Sequence, residues 1–196
     1  MKKLLILSFV FILISCTKNQ NPRVVISTQL GEIEAEILID KAPVTATNFL
    51  RYVDSGKYNS NACFYRTVRM DNQPGKPIKI EVIQGGFYSD SVIEKIQFPP
   101  IMQESTKETG ILHKDGVLSM ARNGPGTASS EFFICIGNQP ELDFGGKRNP
   151  DGQGFAAFGK VINGMDVVRK IQQLKDKDQY LENPAKITNI KRVKND

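Results

Sequence analysis

Short runs of alternating apolar and polar residues, separated by clusters of glycine, proline, asparagine and aspartate, recur along most of this 196-residue chain. Residues 23–27 (RVVIS) and 31–38 (GEIEAEIL), with Gly31 at the break between them, predict a hairpin. Further strand-like runs lie at residues 62–68, 78–83, 116–120, 131–136, 156–161 and 186–193. So many short strands are typical of an antiparallel sheet that closes into a barrel, because closure leaves no strand edge exposed.

Two segments show helical spacing instead. After Pro43, the apolar residues from Val44 to Val53 recur about every third or fourth position, and Gly56 ends the segment. The second segment, residues 165–174, places its apolar side chains on one face: Val167, Val168, Ile171 and Leu174. The sequence therefore predicts a mainly β fold with two helices.

The first 15 residues have the pattern of an export signal. Lys2 and Lys3 precede residues 4–14, which are apolar except for Ser8, as in a secretory signal peptide. A helix that crosses a bilayer needs roughly 20 apolar residues, so this run is too short to act as a permanent anchor. An anchor has to come from elsewhere.

Cys16 offers such an anchor. The sequence LISC at residues 13–16 resembles the bacterial lipoprotein cleavage box, in which the cysteine is lipidated and becomes the new N-terminus. Several acyl chains would hold firmly, since each buried methylene contributes about 0.8 kcal/mol. An ordinary signal peptide with a chance cysteine is the alternative.

We therefore expect a lipoprotein signal peptide at residues 1–15, a lipidated Cys16 with a short tether at 16–22, and one domain over 23–196. The protein would be exported and lipid-anchored to a bacterial membrane, facing the periplasm or the cell exterior. Its formal net charge of +5 comes from basic residues scattered among acids. Nucleic-acid binding needs clustered basic residues, so we expect no nucleic-acid partner.

The cysteines and the single histidine limit the possible chemistry. Export permits a disulfide between Cys63 and Cys135, but each lies in an apolar strand pattern, where buried free thiols are common. We favour two free thiols. His113 is the only histidine, so we expect neither a multi-histidine metal site nor a histidine-based triad, and we assign His113 a structural role.

Four motifs follow one another in the domain: CFYRTV at residues 63–68, EVIQGG at 81–86, SMARNGPGTASSEFFI at 119–134 and GFAAFGKVINGM at 154–165. The third is a polar loop, broken by glycine and proline, that leads into an apolar strand, and such loops often carry function. In this order the motifs resemble the cyclophilin family of peptidyl-prolyl cis/trans isomerases over residues 23–193. The resemblance implies a closed eight-stranded antiparallel β-barrel capped by two α-helices, and no cofactor or metal.

Isomerising an X-Pro bond requires rotation about a C–N bond with a barrier of about 18–20 kcal/mol and no bond breaking. A hydrogen-bond donor and an apolar pocket suffice, and arginine suits the donor because it does not titrate. By resemblance, Arg66 is the catalytic donor, Gln84 orients the substrate backbone and Phe133 forms the pocket floor. Phe132 points to the opposite face of the strand and belongs to the core.

The resemblance also implies a set of substrate-binding residues: Val82, Ala121, Arg122, Glu131, Leu142 and Phe155. Several positions depart from better-known members. Glu81 and Val82 stand where an aromatic residue and a methionine are usual, Glu141 replaces a tryptophan or phenylalanine, Phe155 a histidine and Glu131 a glutamine. Residues 69–79 and 143–154 form long loops. We expect these changes to reduce pocket hydrophobicity and to weaken cyclosporin binding.

Three functions remain open from the sequence. The leading one is a monomeric, lipid-anchored isomerase acting on proline-containing, unfolded or exported polypeptides. The second is a module that binds proline-containing segments with weak or no catalysis. The third is a structural lipoprotein that uses the barrel as a scaffold. Retention of Arg66 favours the enzyme.

Overall fold

The computed structural model describes residues 21–59 and 61–193. The signal peptide, the lipidated Cys16 and most of the tether that the sequence predicts lie outside these residues. Within the described part, no helix has the length and apolar character needed to cross a bilayer.

Nine strands and four α-helices make up the described chain. The strands are β1 (Arg23–Thr28), β2 (Gly31–Ile37), β3 (Ala62–Val68), β4 (Val82–Gly86), β5 (Val117–Met120), β6 (Phe132–Cys135), β7 (Ala156–Asn163), β8 (Asp176–Lys177) and β9 (Tyr180–Arg192). The helices are α1 (Pro43–Asp54), α2 (Asp90–Ile96), α3 (Thr106–Thr109) and α4 (Met165–Gln172), together with a 3₁₀ helix at Pro140–Leu142.

Eight of the strands close into one antiparallel barrel. They neighbour one another in the order β1-β2-β7-β5-β6-β4-β3-β9, and β9 pairs back with β1. The two-residue strand β8 forms a hairpin with β9 outside this ring. The predicted closed eight-stranded barrel is confirmed, and the two predicted helices are present as α1 and α4.

The structure differs from the sequence prediction at β4 and in the connection that follows it. The strand predicted at residues 78–83 begins only at Val82, because the backbone of Ile80 bonds to the side chain of Gln73 in the preceding loop. Helices α2 and α3 were not predicted. They have seven and four residues, too few for an apolar repeat to stand out.

The barrel interior is filled by apolar side chains that alternate with outward-facing ones along each strand. The ring of Phe49, on α1, lies 5.0–5.6 Å from the rings of Tyr58, Phe132 and Phe158. Phe132 therefore belongs to the core, as predicted. Phe133 points the other way and joins a second apolar cluster with Val82 and Leu142.

Cys63 and Cys135 are both free thiols, as expected. The strand registers place Cys63 opposite Gly86 and Cys135 opposite Val82, at the two ends of β4. Four residues of strand span about 13 Å, which is well beyond the Cα separation that a disulfide allows.

Candidate active site

A cavity of about 360 Å³ opens beside β3, β4 and β6. It is lined by eight residues that the sequence predicts as functional: Arg66, Val82, Gln84, Ala121, Arg122, Phe133, Leu142 and Phe155. Glu131 is the only residue of the predicted protein site that does not line this cavity. It lies in a neighbouring cavity of about 470 Å³, which shares Tyr65, Gln84 and Arg122 with the first.

The three residues predicted as catalytic lie side by side across three strands. Arg66 on β3 pairs with Gln84 on β4, and Gln84 pairs with Phe133 on β6. Neighbouring strands are about 4.8 Å apart, so the backbones of Arg66 and Phe133 are separated by about 10 Å. This spacing leaves room for a proline ring between the guanidinium and the aromatic floor.

The Arg66 guanidinium is held from two sides. Its Nη1 donates to Gln84 Oε1 at 2.8 Å, and its Nε and Nη2 donate to Gln179 Oε1 at 3.2 and 2.6 Å. Arginine carries five N–H groups, and the two others have no hydrogen-bond partner within the described part of the chain. Burial lowers the pKa of Arg66, which a guanidinium tolerates without losing its charge.

Sequence reasoning missed Gln179. It lies in the β8–β9 hairpin with φ of +74°, beside Asp178 at +53°. Its backbone N–H donates to Asp176 and its Nε2 donates to the carbonyl of Asn72. No motif marked this segment, because its function depends on a hairpin that folds over a strand more than one hundred residues away.

The floor of the cavity is apolar. Phe133 is only 4% exposed and meets Phe155 edge to face at 5.2 Å. Val82, Leu142 and Ile80 pack around it. Ile80, which sequence reasoning also missed, comes from the long loop that precedes β4.

Two of the acidic departures do not face this cavity. Glu81 accepts a hydrogen bond from Gln172 on α4, and Glu141 accepts one from the backbone N–H of Lys147. Because side chains alternate along a strand, Glu81 points away when Val82 points in. The expectation that Glu81 and Glu141 make the pocket less hydrophobic is therefore wrong, because neither residue lines the cavity.

His113 supports the floor from below. Its ring stacks on Phe133, its Nδ1 lies 2.7 Å from Asp143 Oδ1, and its Nε2 lies 2.9 Å from Ser119 Oγ. We expected that no histidine-based triad can be assembled. This is wrong, because His113 is hydrogen-bonded to both a serine and an aspartate. Ser119 is fully buried, so no substrate reaches its hydroxyl, and the structural role assigned to His113 agrees with this placement.

The guanidinium of Arg122 is bound to the 143–154 loop. It donates twice to the Gly154 carbonyl and pairs with both carboxylate oxygens of Asp151. It also lies over the Phe155 ring at 5.2 Å. These contacts hold the 143–154 loop against the cavity rim. Arg148 also lines the cavity, where its Nη1 donates to Gln73 Oε1 and to the Ile78 carbonyl. Of the three arginines, only Arg66 pairs in register with a strand neighbour of Phe133.

Glu131 is partly buried between β3 and the start of the β4–α2 connection. Its carboxylate accepts hydrogen bonds from the Tyr65 hydroxyl at 2.7 Å, the Phe87 backbone N–H at 2.8 Å and the Ser130 hydroxyl at 3.2 Å. Burial raises the pKa of Glu131, and these donors oppose the rise. This carboxylate therefore anchors side chains around the site rather than lining the pocket.

The arrangement supports binding and polarisation rather than bond cleavage. An apolar floor, a fixed guanidinium with spare donors and a backbone rim can hold a proline-containing segment and stabilise a change in its amide. Among residues 21–59 and 61–193, no three His, Cys, Asp or Glu side chains are grouped to hold a metal ion.

Comparisons with known proteins agree with this geometry. Residues 23–194 match the profile of a family described as cyclophilin type peptidyl-prolyl cis-trans isomerase/CLD. The chain is 35% identical over 166 residues to "Peptidyl-prolyl cis-trans isomerase A" of Dickeya dadantii, covering 83% of this chain and 78% of the relative. It is 38% identical over 161 residues to "Peptidyl-prolyl cis-trans isomerase" of Acinetobacter baylyi, covering 82% and 77%.

The fold is similar to solved structures as well. A crystal structure of a cyclophilin type peptidyl-prolyl cis-trans isomerase from Cryptosporidium parvum superposes with a TM-score of 0.70, covering 90% of this chain and 99% of the other at 24% identity. A structure of the same protein in the presence of the dipeptide Ala-Pro superposes with a TM-score of 0.69, covering 88% and 99% at 24% identity.

Proposed function

This chain belongs to the cyclophilin-type peptidyl-prolyl cis-trans isomerase family and is an isomerase of X-Pro bonds, and from this premise we propose that Arg66 carries its catalysis. The observation behind the proposal is that Arg66 is fixed by Gln84 and Gln179 and still has two N–H groups without a partner among the described residues. Arg66 lines the cavity that Phe133 floors.

Isomerisation of an X-Pro bond is accelerated by a fixed hydrogen-bond donor such as Arg66. Twisting an X-Pro amide removes its resonance, so the proline nitrogen gains a lone pair that can accept a hydrogen bond. One free N–H of Arg66 would hold the substrate carbonyl and the other would donate to the developing lone pair. A 10⁵-fold acceleration corresponds to about 7 kcal/mol of preferential binding to the twisted state.

Phe133 and its neighbours would bind the proline ring. Burying a ring of this size against Phe133, Val82 and Leu142 gains on the order of 2 kcal/mol. The same surface excludes water, which strengthens the hydrogen bonds from Arg66. Ala121 and Arg122 would contact the substrate backbone, with Gln84 setting its direction.

The biological setting that we propose is the folding of exported proteins at a membrane surface. It is supported by the export-signal pattern of residues 1–15 and by Cys16 in the LISC sequence. X-Pro isomerisation takes tens to hundreds of seconds without a catalyst, so it delays folding outside the cytoplasm as it does inside. The clients would be unfolded polypeptides that contain proline.

The catalytic proposal is tested by NMR exchange of a short X-Pro peptide with the full-length chain in detergent micelles. Removing one preorganised donor costs about 10²–10³ in rate, so we expect Arg66→Ala to lose most of the acceleration. Arg66→Lys should lose nearly as much, because a lysine has three N–H donors, and Arg66 uses three on Gln84 and Gln179 alone. The matched control is Arg192→Ala, which removes an arginine at the end of β9 that binds Asp54 and lines neither cavity.

Two results would contradict this part of the proposal. Full activity in Arg66→Ala would show that another group stabilises the twisted amide. Peptide binding by a folded wild-type chain with no acceleration would favour the proline-segment binding module.

The anchoring proposal is tested separately, by fractionating cells that produce the full-length chain and feeding them labelled palmitate. The wild-type chain should be labelled and should sediment with membranes, whereas Cys16→Ala should carry no label. An unlabelled wild-type chain in the soluble fraction would reject the lipoprotein form and leave the catalytic proposal untouched.

A further inference from the structure

A continuous chain of side-chain hydrogen bonds runs from Glu131 to Arg66. The Tyr65 hydroxyl donates to Glu131 Oε2 at 2.7 Å. Gln84 Nε2 donates to that hydroxyl oxygen at 2.7 Å, and Gln84 Oε1 accepts from Arg66 Nη1 at 2.8 Å. All four side chains are partly or fully buried, and each link is short.

The direction of every link follows from the acceptor at one end and the donor at the other. An ionised carboxylate only accepts hydrogen bonds, and a guanidinium only donates them. The single proton of the Tyr65 hydroxyl must therefore point to Glu131, and its oxygen then accepts from Gln84. Because Gln84 presents its NH₂ group to Tyr65, its carbonyl oxygen is left to face Arg66.

Reversing the first link would disturb the last one. If position 131 offered an N–H in place of Oε2, that group would donate to Tyr65, and the hydroxyl proton would turn toward Gln84. Gln84 would then have to present its oxygen to Tyr65 and its NH₂ group to Arg66. Two donors would face each other beside the reacting amide, which costs the hydrogen bond and loosens the guanidinium.

From this geometry, and resting on the role of Arg66 proposed above, we propose that Tyr65 and Glu131 are positioning residues for X-Pro isomerisation. They set the orientation of the Gln84 amide, and the Gln84 oxygen in turn holds the Arg66 guanidinium. Neither residue touches the reacting bond, and both act through Gln84.

The carboxylate is itself held in place for this role. The Phe87 backbone N–H and the Ser130 hydroxyl bind Glu131 Oε1 and leave Oε2 to Tyr65. Gly86 has φ of +146°, and a Cβ at this position would overlap the carboxylate. The backbone of the QGG motif therefore makes the space that Glu131 occupies.

Tyr65→Phe and Glu131→Gln test the proposal in the full-length chain in detergent. Tyr65→Phe removes the acceptor for Gln84, and Glu131→Gln introduces an amide where Oε2 accepts from Tyr65. For each we expect kcat to fall on the order of tenfold, less than the loss of the donor itself, with KM for the peptide nearly unchanged. The matched control is Tyr58→Phe, which also removes a buried tyrosine hydroxyl, the donor to Ser130 O, and should leave kcat unchanged.

Two further measurements separate positioning from a general loss of packing. The effects of the two substitutions should not add in the Tyr65→Phe/Glu131→Gln double variant, because both act through one amide. In ¹⁵N spectra, the Gln84 side-chain amide and Arg66 Nε signals should shift or broaden in both variants and stay in place in Tyr58→Phe.

The outcomes distinguish this inference from the catalytic role on which it rests. Loss of activity in Arg66→Ala, together with kcat and Gln84 signals in Tyr65→Phe and Glu131→Gln like those of Tyr58→Phe, would overturn the positioning role alone. Full activity in Arg66→Ala would overturn the catalytic role and the positioning role with it. Additive losses in the double variant would also overturn the shared action through Gln84.

Discussion

The His113 imidazole lies nearly parallel to the Phe133 ring, with a centroid distance of 5.9 Å and an interplanar angle of 17°. Hydrogen bonds to Asp143 and Ser119 hold the imidazole on both sides. The aromatic floor of the site thus rests on a buried polar group whose partners are Asp143, directly after the 3₁₀ helix, and Ser119 on β5. Loss of those bonds should weaken both the barrel and the pocket.

We expect His113→Ala to lower the free energy of unfolding by about 2–4 kcal/mol, because two buried partners lose their hydrogen bonds and a cavity opens under Phe133. KM for an X-Pro peptide should rise as the floor loosens. Urea denaturation and peptide-exchange kinetics measure the two effects. Ser119→Ala, which removes one of the bonds, should cost about 1 kcal/mol. An equal cost for the two variants would contradict the account.

The hairpin that carries Gln179 should matter for turnover rather than for stability. Gln179→Ala removes the acceptor of two Arg66 donors, so we expect kcat to fall on the order of tenfold. The comparison variant is Asp178→Gly in the same hairpin. The Asp178 side chain is exposed and does not line the cavity. Glycine adopts a positive φ without strain, which should stabilise the fold by about 1 kcal/mol. It should be as active as wild type and slightly more stable; a wild-type kcat in Gln179→Ala would show that Gln84 alone holds Arg66.

Glu131 predicts a pH dependence of stability with a definite sign. In the folded protein, burial raises the pKa of Glu131 above its usual value of 4.5. In the unfolded chain the pKa of this carboxyl group returns to its usual value. The folded protein therefore keeps the proton longer as the pH rises. The stability that this group contributes is fully present below the ordinary carboxyl pKa and is lost as the pH rises through the raised value.

The comparison with Glu131→Gln isolates this effect, since the amide does not titrate. In urea titrations, the difference in free energy of unfolding, wild type minus variant, should decrease as the pH rises from the ordinary carboxyl pKa through the raised pKa of Glu131. The neighbouring titratable groups do not obscure this pH dependence. The pKa values of Tyr58, Tyr65 and Cys63 are all raised, that of Cys63 to about 11, so these groups stay protonated over the acidic range. Asp90, across the second cavity, is present in both proteins. A difference that grows with pH would refute the assignment.

Gly86→Ala should be strongly destabilising, because the added carbon meets the Glu131 carboxylate. A Cβ there would overlap the Glu131 carboxylate, and φ is +146°, so we expect a loss of about 2–4 kcal/mol in unfolding free energy. Gly110→Ala serves as the control. Its φ of +69° is also unfavourable for alanine, but no atom lies within 4 Å of the added carbon, so its cost should be about 1 kcal/mol. Similar melting temperatures for the two variants would contradict the steric account.

Local patterns were enough to predict much of this molecule. The alternation in residues 23–38 predicted the first hairpin, and the adjacent Phe132 and Phe133 predicted one core ring and one pocket ring, because strand side chains alternate. The resemblance carried by CFYRTV, EVIQGG and EFFI placed Arg66, Gln84 and Phe133 in one site. The strand registers bring those three residues side by side.

Other features escaped prediction because they depend on contacts between distant segments. Gln179 reaches Arg66 across 113 residues of chain, and no local pattern reports which residue a hairpin will lay over a neighbouring strand. The chain of His113, Ser119 and Asp143 was likewise excluded in error. Those three residue types are common, and only the closure of the barrel brings them within hydrogen-bond distance and buries them.

By itself the sequence determined the period of the longer strands and helices, the face to which their side chains point and most residue types at the site. These follow from backbone geometry over a few residues. Only the tertiary structure decided which donors meet which acceptors. Glu131 became the end of a directed hydrogen-bond chain because β3, β4 and the turn at Gly86 enclose it together. A hydrogen bond requires its atoms within about 3 Å, and that distance is set by the packing of the whole barrel.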